Sequence, residues 1–585
     1  MHVIRTAVSQ IINQPCNPQD SIVLSSLPLL DQSILFKVYE LPFVGITHVY
    51  HANQGSSIKS NAHVATRCPP CDTNGFNRPW VILPRAPIGP RPATVPATTS
   101  NGCHIVDVKE IVVDPSDQAT AIHVWALGVV SVIGGQFYGW NESFKVGFLP
   151  YFISQLFMGV AYVIYVSCIA EVGGKVPGGS YGLARAVLGF YPGYLLSCLE
   201  FLEYTSYASV SVVYVTDFVT THLKMNSEYQ PLVWLLFYAI CIGFLDSRGK
   251  YMWRCMLVLL VASLLPGVLF IFGSLPYVNF KKNAILHNFD NGETTWATGT
   301  ISTAFFAILP STTVGFAGVE SPTVNTGFVK DPAVNIPKGT RAAVWTLLAS
   351  NIAMVLVLAS LPPGLEIIAT DEFCLNRGLY LGMGFTSRTA EWILIPAQIG
   401  TAIGFSIPIA RLTQAMADSN LLPQWLGLRG QTTTRRSLVV ASIFGYCLCL
   451  VSFYSPMFKM TLQNISIVAG TLCYAGQTLG FVMLRTSYKI DTKGYKSPYG
   501  LTGAYYVFVV FFLVFVSIAG GFQGDDGIAI LSTIGFVAVL TVYYLLVCQK
   551  VQTVSKEEYA SIFKFSVMKF NKLRASKKKR TSATS

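Results

Sequence analysis

The amino-acid sequence predicts an all-α integral membrane protein, and three bulk observations support that fold class. Of the 585 residues, 52% are hydrophobic and only 12% are charged, whereas an ordinary soluble protein has about 25% charged residues. The mean hydropathy is +0.49. The apolar residues cluster in runs of about 15 to 22, the length that crosses a hydrocarbon core of roughly 30 Å. A soluble chain of this length would need more charge to cover its surface.

Residues 1–118 differ in composition from the rest of the chain. They are rich in Pro, Asn, Ser and Thr, and such a composition cannot bury an apolar core. We therefore expect a mostly disordered cytoplasmic tail. Cys68 and Cys71 have the CxxC spacing of zinc sites, but those sites usually need a second close pair. We expect no metal here.

Twelve apolar runs follow and predict a twelve-span domain over residues 119–549. The fourth run is short, and the third carries three acidic residues, so hydropathy supports these two less strongly than the others. The approximate centres of the runs are Val130, Gly159, Ser206, Tyr238, Ser263, Leu309, Met354, Ile399, Phe444, Ala475, Phe511 and Ala538.

The Lys and Arg residues of the loops predict the orientation. With the N-terminus inside, the inner loops carry fifteen Lys and Arg and the outer loops seven, and such residues accumulate on the cytoplasmic side. We expect both termini in the cytoplasm and the protein in the plasma membrane. Residues 550–585 form a basic tail, for which anionic lipid is a simpler partner than nucleic acid. Its apolar and basic residues alternate as in an amphipathic interfacial helix, although a solvated tail fits equally well.

The first and sixth runs contain helix-breaking residues near their centres. Gly134 and Gly135 are adjacent in the first run, and Pro310, Gly318 and Pro322 interrupt the sixth. Glycine inside a helix costs about 1 kcal/mol relative to alanine. Two broken helices five spans apart are typical of inverted repeats, in which unwound backbone at mid-membrane meets the substrate. The alternative is that these glycines only allow close helix packing.

Five segments carry a resemblance to a known family. They are LGVVSVIGGQFYGWN from Leu127, AEVGGKVPGGSYGLARAVLG from Ala170, LEFLEY from Leu199, VKDPAVNIPKG from Val329 and ARLTQAMADSNLLPQWL from Ala410. Together they resemble the amino acid–polyamine–organocation superfamily, and within it the ethanolamine permease family. The resemblance extends over roughly residues 121 to 550.

The resemblance implies a leucine-transporter-like fold, with two inverted five-helix repeats followed by two further C-terminal helices. It also implies substrate contacts at the broken parts of spans 1 and 6. The free N–H groups of a half-helix suit a carboxylate or hydroxyl, and free carbonyls suit an ammonium group. The residues concerned are Ile133, Gly134, Gly135, Gln136, Phe316, Ala317, Gly318 and Val319.

The sequence departs from the family pattern at positions that bear on ion coupling. Gly327 and Phe328 stand where the family has an acidic pair, and Ser263 stands where some members carry a lysine thought to handle the proton. Thr401 and Ser406 on span 8 offer hydroxyls for a sodium site, with ordinary helix packing as the alternative. We expect no bound cofactor and a proton or sodium gradient as the driving force.

Acidic residues inside predicted spans are the sharpest functional signal. Glu200 and Glu203 lie three residues apart on one face of the third span, and Glu320 lies on the sixth. A carboxylate at mid-membrane is costly unless it is paired, protonated or facing water. Glu203, supported by Glu200, is therefore expected to hold a substrate ammonium group or a coupling proton. The alternative is a structural hydrogen bond from Glu203 to a Ser, Thr or Tyr of a neighbouring helix.

These observations predict a secondary active transporter that moves an amino acid or a small amine, with ethanolamine as a candidate, by alternating access. A facilitator or channel for the same solutes is the first alternative, and a membrane sensor that binds without transport is the second. The sequence contains neither a GxxxxGK[ST] phosphate loop nor an HExxH motif, and no polar cluster predicts a nucleophile with a base. We expect no enzyme activity.

Overall fold

The structure of the protein is a computed structural model. It describes residues 104–106, 117–173, 179–246, 249–287, 294–371, 373–427, 435–488, 494–524, 527–555 and short pieces between 558 and 574. The chain divides into two compact units, Met1–Arg91 and Pro92–Ser585, and every described residue belongs to the second. The predicted tail at residues 1–118, with Cys68 and Cys71, thus lies outside the described residues except at 104–106 and 117–118.

The first half of the helical domain begins with helix α1 (Ala121–Ile133), which is interrupted after 13 residues. Helix α1 is followed by the short 3-10 segments Gly134–Gln136 and Trp140–Val146. The elements are β1 (His104–Val106), α1 (Ala121–Ile133), α2 (Phe148–Gly173), α3 (Gly179–Val187), α4 (Phe190–His222), α5 (Gln230–Leu245) and α6 (Gly249–Ser274).

The second half repeats the pattern of an interrupted helix followed by long ones. Helix α8 is followed by the 3-10 segments Ser311–Gly315 and Ser321–Phe328. The elements are α7 (Phe280–Asn283), β2 (Leu286–His287), β3 (Thr294–Thr295), α8 (Ile301–Ile308), α9 (Pro332–Ala359), α10 (Leu365–Ile368), α11 (Asn376–Met383), α12 (Ser387–Asp418), α13 (Arg435–Tyr454), α14 (Pro456–Met483), α15 (Gly500–Ala519), α16 (Ile528–Tyr543), α17 (Gln549–Val551) and β4 (Thr553–Ser555). π-Helical turns extend α14 over Leu484–Tyr488 and α16 over Tyr544–Cys548.

The predicted all-helical membrane class is confirmed. Among the described residues, nine helices are long and apolar enough to cross a membrane, and a tenth span forms if Ala121–Gln136 and Trp140–Val146, which meet at 47°, are one bent crossing. The third and sixth runs also lie on helices, but α4 carries three acids and the sixth is broken. The total of twelve spans therefore stays a prediction.

Packing separates a polar-containing core from lipid-facing helices. Helix α4 packs on α12 and α14, and α1 packs on α9 and α12. In the most apolar stretch of α12, 78% of the residues are buried inside the protein, whereas the corresponding share in α16 is 11%. Because the bilayer is itself apolar, the exposed Leu531, Ile534 and Val539 of α16 can face lipid without cost. The candidate site is consequently sought around α1, α4 and α12.

We expect both chain ends on the cytoplasmic side, as the loop charges predict. Ser585, which lies outside the described residues, should as Ser585→Cys resist a membrane-impermeant thiol reagent in intact cells and react after permeabilisation. Ser227→Cys, in the exposed loop between α4 and α5, is the matched control and should react from outside. Labelling of Ser585→Cys in intact cells would contradict the orientation.

Candidate functional site

The two helix interruptions that the glycines and prolines predict are present and touch each other. Helix α1 ends at Ile133 and gives way to a 3-10 turn. A Cβ atom added at Gly135 would lie 2.6 Å from the carbonyl oxygen of Val314 in the second interruption. Glycine is required there because two backbones approach without room for a side chain.

Gln136 joins the two interruptions to α9. Its side-chain amide donates to the carbonyl oxygens of Gly315 at 2.9 Å and Leu347 at 3.0 Å, and its oxygen accepts from the hydroxyl of Ser350 at 2.7 Å. Gln136 is 1% exposed and Ile133 is fully buried. Both predicted contact residues therefore hold the broken helices in place in this conformation.

Helix α12 supports the first interruption from the other side. Gln398 donates from its amide to the carbonyl oxygen of Gly134 at 3.2 Å, and the Thr401 hydroxyl lies 3.3 Å from the carbonyl oxygen of Val130. The hydroxyl of Ser406 donates within its own helix to Ala402 at 2.8 Å. Five residues apart on a helix, Thr401 and Ser406 point in different directions, so the structure does not bring the two predicted sodium ligands together.

A cavity of about 330 Å³ opens between the two interruptions, α4 and α12. Three of the predicted site residues, Gly135, Ala317 and Thr401, lie in its wall. The wall also contains aromatic and polar side chains from distant segments. These are Ser131, Tyr138, Trp140, Asn141, Glu142, Tyr207, Ser211, Tyr214, Ser311, Asp371, Gln398, Phe405 and Gln463.

The charge of the cavity wall favours a cation. Its charged side chains are the carboxylates of Glu142 and Asp371, and among the described lining residues there is no Lys, Arg or His. Glu142 is exposed and pairs with Lys145 at 3.5 Å, so the attraction for a cation rests on Asp371. Asn141 donates to the backbone carbonyl of Asp371 at 2.8 Å and fixes that loop against the first interruption. Partial burial raises the pKa of Asp371, and Arg377 opposes this shift. Aromatic faces such as Tyr207 and Phe405 can add cation–π attraction.

Aromatic rings form the floor of the cavity. Phe405 stacks on Tyr207 with ring centres 5.7 Å apart and lies 5.4 Å from the ring of Tyr204. Gly318 has a φ of +91°, and a Cβ there would lie 2.3 Å from the Phe405 ring. Only a glycine lets the second interruption close on this floor. Gly318 is thus placed beneath the cavity wall.

Three further predicted contact residues, Phe316, Val319 and Gly134, lie in the core. Phe316 is fully buried and stacks on Tyr162 with ring centres 5.5 Å apart, and Val319 is fully buried. Gly134 faces α12, where an added Cβ would lie 2.5 Å from the Thr401 hydroxyl. None of these three side chains or positions lines the described cavity wall.

The three acids form a separate layer outside the cavity wall. The hydroxyl of Tyr204 lies 3.0 Å from Glu200 Oε1 and 2.9 Å from Glu320 Oε1, while Ser180 donates to Glu200 at 3.0 Å. A tyrosine hydroxyl has one hydrogen to donate. When it contacts two carboxyl oxygens, both contacts can be hydrogen bonds only if one carboxyl carries a proton and donates to the hydroxyl.

Glu203 lies in the same layer, in contact with α14. Its Oε1 accepts from the hydroxyl of Tyr474, and a Cβ at Gly470 would lie 2.6 Å from its carboxyl group. The predicted structural alternative, a bond to a tyrosine of a neighbouring helix, therefore exists for one oxygen. Within the described part of the chain, Oε2 of Glu203 and Oε2 of Glu320 have no hydrogen-bond partner.

An ion pair that sequence reasoning missed joins the C-terminal ends of α2 and α14. Glu171 contacts Arg485 through both carboxyl oxygens, at 3.2 and 2.5 Å, and accepts from the backbone N–H of Ser497 at 2.6 Å. Glu171 stands in one of the segments that carry the family resemblance. Its partner lies 314 residues later, so no local spacing reveals the pair.

Comparisons with known proteins cover this same helical region. A family profile described as amino acid permease matches residues 121–542. An uncharacterized transporter of Rhizobium meliloti is 23% identical over 397 residues, which is 64% of this chain and 81% of that protein.

Solved structures of the manganese transporter of Eremococcus coleocola are similar to the chain. The complex with an aromatic bis-isothiourea substituted compound has a TM-score of 0.49 at 13% identity and covers 80% of this chain and 99% of its own. A mutant of the same transporter has a TM-score of 0.47 at 13% identity, over 76% and 95% of the two chains.

Proposed function

Because this chain belongs to the amino acid permease family, we propose that it moves a small amine, or an amino acid presented through its ammonium group, by alternating access. It is an integral membrane transporter of a small-molecule substrate. The observation that carries the amine is the cavity, whose wall holds the carboxylate of Asp371 and, among the described lining residues, no Lys, Arg or His. Ethanolamine is a cation without a carboxylate and needs no basic partner, so it is our first candidate.

The cavity also suggests which step of the cycle this conformation represents. Its wall includes Asn141 and Asp371, which lie at the predicted outer end of the bundle. Phe405 and Gly318 close the floor, and the Glu171–Arg485 pair joins helix ends at the predicted inner side. These contacts fit a transporter of the plasma membrane with its cytoplasmic path shut.

For coupling, we favour a proton held in the layer of Glu203, Glu200 and Glu320. The Tyr204 hydroxyl that Glu200 and Glu320 share leaves room for one proton there, and Oε2 of Glu203 and of Glu320 can each accept one. Sodium is the second candidate, because Thr401 lines the cavity. The Thr401 hydroxyl already contacts carbonyl oxygens of α1 and α12. A sodium ion would have to compete with these contacts for the hydroxyl oxygen.

Uptake by the purified protein in liposomes tests the proposal. We expect accumulation of radiolabelled ethanolamine above the outside concentration under a proton gradient, and competition by some amino acids. Asp371→Asn should raise the apparent KM by tenfold or more, since a hydrogen bond to a charged group contributes about 1.5 to 3 kcal/mol. Glu228→Gln, in an exposed loop away from the cavity, is the control and should keep the parent KM.

The alternatives predict other outcomes of the same measurement. Flux that only equalises the two sides would make the protein a facilitator. Saturable binding without flux would make it a sensor. Uptake of neutral or anionic solutes alone, with Asp371→Asn indistinguishable from the parent, would overturn the amine assignment.

A further inference from the structure

The C-terminal segment presents an apolar stripe away from the protein. Residues 562–568 are helical, and Tyr559, Phe563 and Val567 follow one another at four-residue spacing. Their exposed fractions are 41%, 49% and 37%. Phe563 and Val567, four residues apart on this helix, lie on one face, and the ring of Tyr559 stacks on that of Phe563 with centres 6.5 Å apart, so the three side chains form a single exposed surface.

The opposite face of this segment rests on the end of a membrane helix. Phe565 is 5% exposed, and its ring centre lies 5.5 Å from that of Tyr488 in the π-helical end of α14. The segment is therefore held at the level where α14 leaves the bilayer, and its exposed stripe lies beside the membrane boundary.

Basic residues flank the stripe. Lys564 is exposed, and the sequence adds Lys569, Lys572, Arg574 and a Lys-Lys-Lys-Arg run at residues 577–580. Basic residues beside an anionic membrane surface contribute about 1 kcal/mol each. An apolar stripe with basic residues beside it is complementary to an anionic bilayer, which has an apolar interior and negatively charged headgroups.

The segment is also attached to the cytoplasmic loop after α2. Arg185 of α3, whose side chain is fully buried, lies 3.2 Å from Glu558 and donates to the carbonyl oxygen of Thr553 at 3.2 Å. The same short helix provides Ser180, which donates to Glu200 in the acid layer. Helix α3 therefore connects the C-terminal segment to the acid layer, and a displacement of the segment would displace α3.

We propose that the helix at residues 562–568, together with Tyr559, is an interfacial element that binds an anionic bilayer surface, with Tyr559, Phe563 and Val567 inserted among the lipids. The basic flank favours lipid over a second copy of this chain, because two copies would bring like charges together. Bound in this way, the segment keeps Glu558 on Arg185 and holds α3 against the core.

Hydrogen–deuterium exchange of the full-length protein in nanodiscs tests this proposal without reference to transport. Amides of 558–574 should exchange more slowly in discs that contain phosphatidylserine than in pure phosphatidylcholine discs. Lys564→Gln with Arg574→Gln should reduce that difference by about fivefold for each removed charge, and Phe563→Asp should abolish it. Lys281→Gln with Lys282→Gln, both exposed in the opposite loop region, removes the same charge elsewhere and should leave the difference intact.

Three results would overturn the proposal. Equal exchange in the two kinds of disc would show that anionic lipid is not bound. Strong protection in phosphatidylcholine alone that Phe563→Asp leaves unchanged would show that the segment is held by the protein only. Protection that appears only with two copies per disc would assign the stripe to self-association.

Discussion

Gly318→Ala is expected to reduce uptake at least tenfold, and Gly327→Ala to leave it near the parent rate. A Cβ at Gly318 would lie 2.3 Å from the buried Phe405 ring, and the φ of +91° is one that L side chains adopt only at a cost of about 1 to 2 kcal/mol. At Gly327 an added Cβ meets nothing within 4 Å. Initial uptake rates in proteoliposomes at matched protein density measure both variants.

A loss of folding must be separated from a loss of transport. Fluorescence-detected size exclusion should show the Gly318→Ala protein as a single peak, since one methyl group against one ring is a local conflict. The double variant Gly318→Ala with Phe405→Ala opens the space that the methyl group needs and should recover part of the uptake. Full activity of Gly318→Ala alone would show that this approach of helix and ring is not part of the transport cycle.

Glu203→Gln should remove the dependence of uptake on the proton gradient. The glutamine keeps the size and the hydrogen bond to Tyr474 but cannot exchange a proton. A charge at the centre of a membrane costs about 2.5 to 3.5 kcal/mol, so a site that alternates between neutral and charged forms can drive a conformational change. Accumulation ratios across a series of imposed pH gradients measure the effect, and Glu228→Gln serves as the exposed control.

Tyr474→Phe distinguishes a coupling role from a structural one. It removes the hydroxyl that contacts Glu203 and leaves the carboxyl. If the contact were purely structural, Tyr474→Phe would lower protein stability, Glu203→Gln, which keeps the bond, would not, and both would leave the pH profile of uptake unchanged. Affinity, rate and pH dependence that all match the parent in Glu203→Gln would rule out any role for the charge.

Local sequence signals predicted the interruptions but not what lies between them. Gly134, Gly135 and Gly318 are visible in the sequence because a glycine inside an apolar run is a local signal of a helix break. Phe405 and Tyr207 come from α12 and α4, and their meeting depends on helix packing that no periodicity encodes. The sequence therefore predicts where the backbone opens and leaves the cavity wall undetermined.

Gln136 shows that residue type alone does not identify the partners of a buried polar side chain. A polar side chain beside a helix break fits a substrate ligand, and the resemblance implied one. In the structure its three hydrogen bonds all go to protein groups. A buried amide group needs hydrogen-bond partners within the protein, because a buried donor or acceptor without one costs about 1 to 3 kcal/mol. The sequence does not show which carbonyl groups lie within reach of Gln136.

The bonds of Gln136 also constrain how the molecule can rearrange. One side chain ties the break after α1 to Gly315 and to Leu347 on α9, so these segments are expected to swing as one rigid body. We expect this body to move relative to α4 and α12, along the interface that it forms with them, which we call the seam. Gly318 against Phe405 and Tyr204 against Glu320 both lie on that seam. We therefore expect the rearrangement to break the contacts on this seam and to keep the three bonds of Gln136.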